Sequence, residues 1–459
     1  MKAREKSARP SAKSGGEHRV VSPARRAAFE ILRRVEDEGA FASVLLAATD
    51  EEMRAEDRAL CYELVLGVLR WQLWLDALIE HYAGRAAASL DEPVRRALRL
   101  GLYQLRFLSR IPASAIVNEA VNLAYVARLR SAAGFINAVL RRATREAEFN
   151  PAAGFADSLE KLAIETSHPS WLLERWTKSF GQEEAEKFAR ANNQPPPVAF
   201  RLTSQIEDEQ NILSQLREAG ATVTQSQVAP GAWRVEGAGA TVRKLAREGH
   251  IYLQDEASQL VAHVVGARAG ERVLDVCAAP GSKTTHIAAL APGLKLIAAG
   301  DLYGHRLQTV LETALRAKVK HIEVLAHDAT DALPFAAQSF DRVLVDAPCT
   351  GTGTLRRNPE IRWRISAGDI SDLAARQSRI LSNAARAVRT TGRLVYSTCS
   401  VESEENEEVV AGFLREHADF RQVAIHASDI LKSADEYSLR TWPHREGADG
   451  FFVAAFERG

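Results

Sequence analysis

From Ser22 onward apolar positions recur with a helical period. Between Ser22 and Ala40, Ala27, Ala28, Ile31, Leu32 and Val35 return every three to four residues, leaving Arg25, Arg26, Arg33 and Arg34 mostly on other faces. Ser22 followed by Pro23 supplies an N-cap and a proline at the first helical position. The same period runs through residues 57–83, 94–108, 114–129 and 134–146, and together these segments predict an all-helical bundle from Ser22 to about Glu146. Two more helical segments lie between His168 and Pro197, where three consecutive prolines stop the helix and mark a boundary. VAFRLT, NILSQLREAG, ATVTQSQ and AWRVEG then alternate short strands with a helix, which predicts a small α/β subdomain.

The pattern changes again after a helical segment at 255–267. Five short apolar runs, RVLDV, LKLIAAGD, IEVLAHD, DRVLVDAP and GRLVYSTC, are separated by amphipathic stretches. That spacing predicts buried parallel strands and crossover helices of an open, doubly wound, Rossmann-like sheet, with GFFVAAFER as a late strand. The expected division is a flexible basic tail at 1–19, a helical domain at 20–150, linker helices with a small α/β subdomain at 151–250, and an α/β domain at 251–459.

A chain of 459 residues is too long for a single ordinary core, in keeping with several domains. Lys plus Arg and Asp plus Glu both number 59, so attraction to nucleic acid must come from local patches. No apolar run approaches membrane-spanning length and the first residues hold no apolar stretch, so the expectation is a cytoplasmic monomer away from membranes. Of the four cysteines, Cys61, Cys277, Cys349 and Cys399, no two form a CxxC pair. Free thiols and no metal site follow.

Ligands of an open α/β sheet bind beyond the carboxyl ends of its strands. The first run ends in Asp275 and leads into Cys277, Ala278, Ala279, Pro280, Gly281, Ser282 and Lys283, a turn of small residues that lets a ligand approach the backbone. The second ends in Asp301, spaced to accept hydrogen bonds from ribose hydroxyls. The third ends in Asp328, the fourth in Asp346 and Cys349, the fifth in Cys399. One acid closing a strand is as readily a helix cap; the three carboxylates Asp301, Asp328 and Asp346 and the two thiols Cys349 and Cys399 at successive strand ends are not coincidence. The turn lacks GxGxxG and fails GxxxxGK[ST], since Val276 stands where the first glycine belongs. A ligand with an adenosine and no pyrophosphate fits better, which points to S-adenosyl-L-methionine. The remaining chemistry for the thiols is nucleophilic.

The stretches DVCAAPGSKT, DAPCTGTGTLRRNPEIRW and YSTCSVESEENEEVV resemble the motifs of the RNA 5-methylcytosine methyltransferases of the Sun/NOP2 family, and the likeness covers Ser167 to Gly459. ARRAAFEILRRV, IVNEAVNLA and GFINAVLRR resemble the RNA-binding factor NusB, a pairing seen in bacterial enzymes that methylate small-subunit (16S) ribosomal RNA. The resemblance implies that Cys277 through Lys283 form the S-adenosyl-L-methionine turn, with Asp301, Asp328 and Asp346 also lining it. Cys399 would be the nucleophile that adds to carbon 6 of cytosine, and Cys349 would take part in release. Asp346 would also reach the cytosine ring. Ser282 stands where the family usually has glycine, and Thr350 where it commonly has serine. The target base must leave its stack, so unassembled or partly assembled ribosomal RNA is the expected partner. A transfer RNA substrate, or a non-catalytic assembly role, is the alternative. Arg356, Arg357, Arg362 and Arg364 are candidate phosphate contacts, with Arg25 and Arg26 weaker ones. Cys61, Trp71 and Trp74 read as core residues, and the acidic run Glu402 to Glu408 as a solvated helix start.

Overall fold

Helices account for the first part of the chain as its periodicity requires. A computed structural model of the protein describes residues 21–49, 53–203, 209–425 and 437–459, so the basic tail lies outside the described residues. The chain divides into two units, Met1–Ala153 and Gly154–Gly459. In the first, seven α-helices are described, from Pro23–Asp37 to Ala133–Arg145. Ala28, Ile31, Leu32 and Val35 are buried as the spacing predicts, and Cys61 sits in the same core. Trp71 and Trp74 pack against that core and cluster with Phe107. Pro23 does occupy the start of the first helix, but Ser22 makes no side-chain cap. Its backbone N–H and hydroxyl donate to Glu119 instead. Arg25 is buried and donates to Gln104 Oε1 at 2.7 Å, so it is a packing residue and not a phosphate contact.

The second unit opens with helices Ser158–Thr166, Ser170–Phe180 and Gln182–Ala191. A small sheet follows, made of β1 (Val198–Leu202), β2 (Thr222–Gln225), β3 (Ala232–Glu236) and β4 (Ile251–Leu253), antiparallel throughout in the order β2-β3-β1-β4. Helices Glu209–Glu218 and Gly239–Arg247 complete a βαββαβ unit. The cut expected between residues 250 and 251 therefore falls inside this sheet. β4 pairs with β1, and Ile251 is buried in the same cluster as Phe200, Val235 and Leu245. Side chains alternate along a strand. Phe200 accordingly faces that cluster while Arg201 faces the following domain, donating to Gln254 and to Thr285 Oγ1. Arg234 does the same toward Glu256 and the carbonyl of Glu446.

The large sheet contains β5 (Arg272–Asp275), β6 (Leu296–Asp301), β7 (Ile322–Ala326), β8 (Phe340–Asp346), β9 (Val388–Thr398), β10 (Phe420–Gln422), β11 (Ser438–Thr441) and β12 (Phe451–Arg458). Its order is β10-β12-β9-β8-β5-β6-β7, with β11 also pairing β12. β5 to β9 are parallel, as their continuous apolar runs predict, and β12 returns antiparallel on β9. Helices cover both faces. Val273, Leu344, Val395 and Val453 pack with helix Glu256–Val265, and their neighbours Leu274, Val343, Leu394 and Phe452 lie in the cluster that holds Ile380 and Phe413. Strand order reverses at β5, which has β6 on one side and β8 on the other, so the crevice opens at the ends of those strands. Among the described residues no helix is long and apolar enough to cross a membrane.

Candidate active site

The turn after β5 is built on backbone hydrogen bonds. Ala278 N–H donates to the Gly300 carbonyl at 2.7 Å and Gly281 N–H to that of Ala278 at 2.7 Å. Gly281 has φ +94° immediately before helix Ser282–Leu290, and a Cβ there would stand 3.1 Å from Val310 Cα. Its glycine is thus set by a left-handed backbone and by packing on the next helix. Asp275, buried at the end of β5, accepts from Thr284 Oγ1 at 2.7 Å; burial pushes its carboxyl up to about 7, and its second oxygen is buried with no hydrogen-bond partner among the described residues. Asp301 is buried at the end of β6, accepts from the N–H groups of Ala279 and Tyr303 and pairs with Arg306 at 3.2 Å. Asp328 accepts from the hydroxyl and N–H of Thr330, which hold it below the usual carboxylate range. Burial raises the Cys277 thiol, and the carboxylates of Asp275, Asp346 and Asp301 raise it further, so it stays neutral.

β8 and β9 bring the reactive groups together. Lys283 Nζ donates to Asp346 Oδ2 at 2.7 Å, and Ser397 Oγ to Asp346 Oδ1 at 2.8 Å. Burial alone lowers the Lys283 ammonium, but the adjacent Asp346 carboxylate outweighs it and keeps the group charged. Cys349 and Cys399, 50 residues apart, stand with their sulfurs 3.3 Å apart. That contact, and then burial, hold Cys349 well above the ordinary thiol range. One crevice therefore presents a neutral thiol, a second thiol against it and a charged ammonium–carboxylate pair.

The chain is similar to known proteins over most of its length. Residues 22–145 match the NusB family, 168–242 a ferredoxin-like domain described as Methyltr_RsmF/B-like, and 262–457 the family described as 16S rRNA methyltransferase RsmB/F. A Bacillus subtilis protein described as a probable ribosomal RNA small subunit methyltransferase B is 34% identical over 438 residues, spanning 94% of this chain and 98% of that protein. The ribosomal RNA small subunit methyltransferase B of Escherichia coli K12 is 34% identical over 431 residues, 93% of this chain and 96% of its own. The chain belongs to the RsmB/F family of 16S rRNA methyltransferases. The solved structure of PH0851 aligns with a TM-score of 0.81 at 29% identity over 96% of this chain and all of that one. A methyltransferase homolog from Pyrococcus horikoshii aligns with a TM-score of 0.56 at 25% identity, covering 66% of this chain and 100% of its own. The helical unit is thus the NusB domain of an RsmB/F enzyme, the small sheet its ferredoxin-like domain and the large sheet its S-adenosyl-L-methionine-dependent methyltransferase domain.

Within this RsmB/F enzyme several residues differ from their expected roles. Arg356 and Arg357 both pair with Asp449, and Arg357 also reaches Asp255. Arg362 is 0% exposed and donates to the Ser167 and Asn192 carbonyls and to Asn193 Oδ1. These three arginines fasten the domain internally through carboxylates and carbonyls. Of the acidic run, Glu407 and Glu408 do form an exposed helix start, but Glu402 and Glu405 are buried. Glu402 accepts from Arg175 and from Trp176 Nε1. Glu405 lies against the residues that follow the two thiols.

Gly353 N–H donates to the Cys399 carbonyl at 2.9 Å, and Gly450 N–H to the Gly353 carbonyl at 2.8 Å. A Cβ on Gly353 would fall 2.0 Å from Gly450 O. Gly353→Ala is therefore expected to destabilise the enzyme by about 1–3 kcal/mol, the cost of overpacking a rigid contact, and to displace Cys399. Urea denaturation checks the first expectation, and an unchanged midpoint contradicts it.

Proposed function

We propose that this RsmB/F enzyme methylates carbon 5 of a cytosine in 16S ribosomal RNA through a covalent adduct on Cys399. The pairing of Cys399 with the protonated Cys349 at 3.3 Å, beside Lys283 and Asp346, carries this reading. The crevice suits the methyl donor of the family. Asp301 and Asp328 are carboxylate acceptors at the ends of successive strands, and Asp275 adds beside the turn a buried oxygen with no partner among the described residues. Cys277, Ala278, Ala279, Pro280, Gly281, Ser282 and Lys283 are assigned the turn against which S-adenosyl-L-methionine rests, with Asp301, Asp328 and Asp346 around it. When bound, S-adenosyl-L-methionine supplies the electrophilic methyl group that carbon 5 takes up.

Carbon 5 of cytosine is a weak nucleophile. Addition of the Cys399 thiolate to carbon 6 places electron density on carbon 5. Asp346, oriented by Lys283 and Ser397, is assigned the hydrogen bond to the cytosine ring, and the Lys283 ammonium offsets negative charge as the adduct forms. In the elimination, water takes the carbon 5 proton, the electron pair of that bond restores the 5,6 double bond and the carbon 6–sulfur bond breaks; Cys349, 3.3 Å from the departing sulfur, is assigned to give that sulfur its proton. The base has to be flipped out to expose carbon 6, which favours cytoplasmic RNA not yet fully assembled into the subunit. Bisulfite sequencing of total RNA from a strain lacking the protein is expected to show one 16S cytosine that has lost its protection from conversion. Loss of protection in transfer RNA instead, or at no position, overturns the reading.

A further inference from the structure

Glu405 closes the turn Ser403–Glu405 just after Cys399 and is 0% exposed. Among the described residues no cation pairs with its carboxylate. Four donors on three separate segments surround it instead. Oε1 accepts from Thr350 N–H and Gln377 Nε2, each at 2.9 Å, and Oε2 accepts from the hydroxyls of Thr350 and Ser400. Gln377, on helix Ala367–Ala385, also donates to the Pro348 carbonyl at 2.9 Å. Tyr396 Oη donates to the carbonyl of Glu405 itself. Thr350 follows Cys349 and Ser400 follows Cys399, so a single carboxylate is bonded to the next residue after each thiol. The two carboxylate oxygens accept all four at once, whereas a glutamine would turn one of its two terminal atoms into a donor facing two of them.

We propose that Glu405 is the positioning residue of the two-thiol reaction: it ties the turns bearing Cys349 and Cys399 together and keeps a negative charge beside Cys349, so that Cys349 remains the proton-carrying thiol. This rests on the assignment of Cys399 as nucleophile and Cys349 as the release group. The groups facing Cys349 are Cys399 and Tyr396 of the β9 segment and Glu405, with the Lys283–Asp346 pair at the neighbouring strand end. The contact with Cys399 and burial raise the Cys349 thiol, and the Glu405 charge raises it further. Burial also raises the Glu405 carboxyl, against which its four donors act.

The test is the pH profile of iodoacetamide alkylation at Cys349, followed by peptide mass spectrometry on the full chain without RNA. A Cys399→Ser background lets Cys349 be read alone. Glu405→Gln is expected to lower the Cys349 midpoint by about one pH unit, roughly tenfold more thiolate at a given pH. A purely structural role changes access, and with it the plateau rate, but leaves the midpoint in place. An unchanged midpoint in a folded Glu405→Gln protein overturns the proposal. Should that variant not fold, Glu405→Asp keeps the charge but is one methylene short. With Cys399 retained, it is expected to slow methyl transfer while, in the Cys399→Ser background, the midpoint stays at its original value; a fallen midpoint overturns the proposal equally. Because no RNA enters the alkylation measurement, failure here is separate from failure of the cytosine reading, which methylation assays report.

Discussion

Replacing Cys399 by alanine is expected to abolish methyl transfer, lowering the rate by on the order of 10⁴-fold or more, as losing a covalent nucleophile does in other enzymes. The effect should be this large because no other side chain at these strand ends substitutes for it. Cys349 is held as a neutral thiol by its contact with Cys399 and by burial, and Cys277 is held neutral by burial and three carboxylates. Cofactor affinity should be unchanged in the same variant. The turn at Cys277–Lys283 is held by Gly300 and Asp301, neither of which depends on the Cys399 sulfur. Incorporation of radiolabelled methyl into 16S RNA and calorimetric titration of S-adenosyl-L-methionine report the two halves separately. Full activity in the variant removes Cys399 from the reaction.

Cys349→Ala should fail differently, by stalling after chemistry has begun. Its thiol stands 3.3 Å from the sulfur that must leave, so removing it leaves addition possible and elimination unassisted. The expected result is a protein–RNA complex that survives a denaturing gel, with multiple turnover lost. The complex should vanish in the double variant that also lacks Cys399, because that sulfur is the point of attachment. Absence of any complex from the single variant withdraws the release role from Cys349.

Much of this site is legible along the chain because strand ends are set by local pattern. The runs ending at Asp275, Asp301, Asp346 and Cys399 announce themselves by apolar continuity, and a doubly wound sheet must bring those ends to one edge. β10 and β11 escape that reading because three or four residues are too few to show a period. They form only because β12 offers edges to pair with. β4 escapes for the same reason.

Glu405 was hidden by a different cause. A glutamate among glutamates reads as solvated, and its burial depends on donors 28 and 55 residues away that only the folded chain supplies. The arginines after Cys349 are a parallel case. Their basic run looks like a phosphate contact until Asp255 and Asp449, distant in sequence, arrive to neutralise it. Charge pattern is read correctly from sequence only where the partner is local.

The second face of the small sheet has a consequence for how such enzymes change over evolutionary time. Arg201 and Arg234 reach from it into the methyltransferase domain, and Arg357 of that domain reaches back to the Pro197 carbonyl as well as to Asp255 and Asp449. Exchanging the small sheet for a foreign module would strand buried carboxylates such as Glu256, and breaking a buried pair from one side costs about 3–5 kcal/mol. A chimera spliced between the two sheets therefore starts with a deficit that is a large fraction of the stability of an ordinary domain. Ferredoxin-like and methyltransferase domains should be inherited as one piece, and recombination that yields new substrate ranges should cut elsewhere.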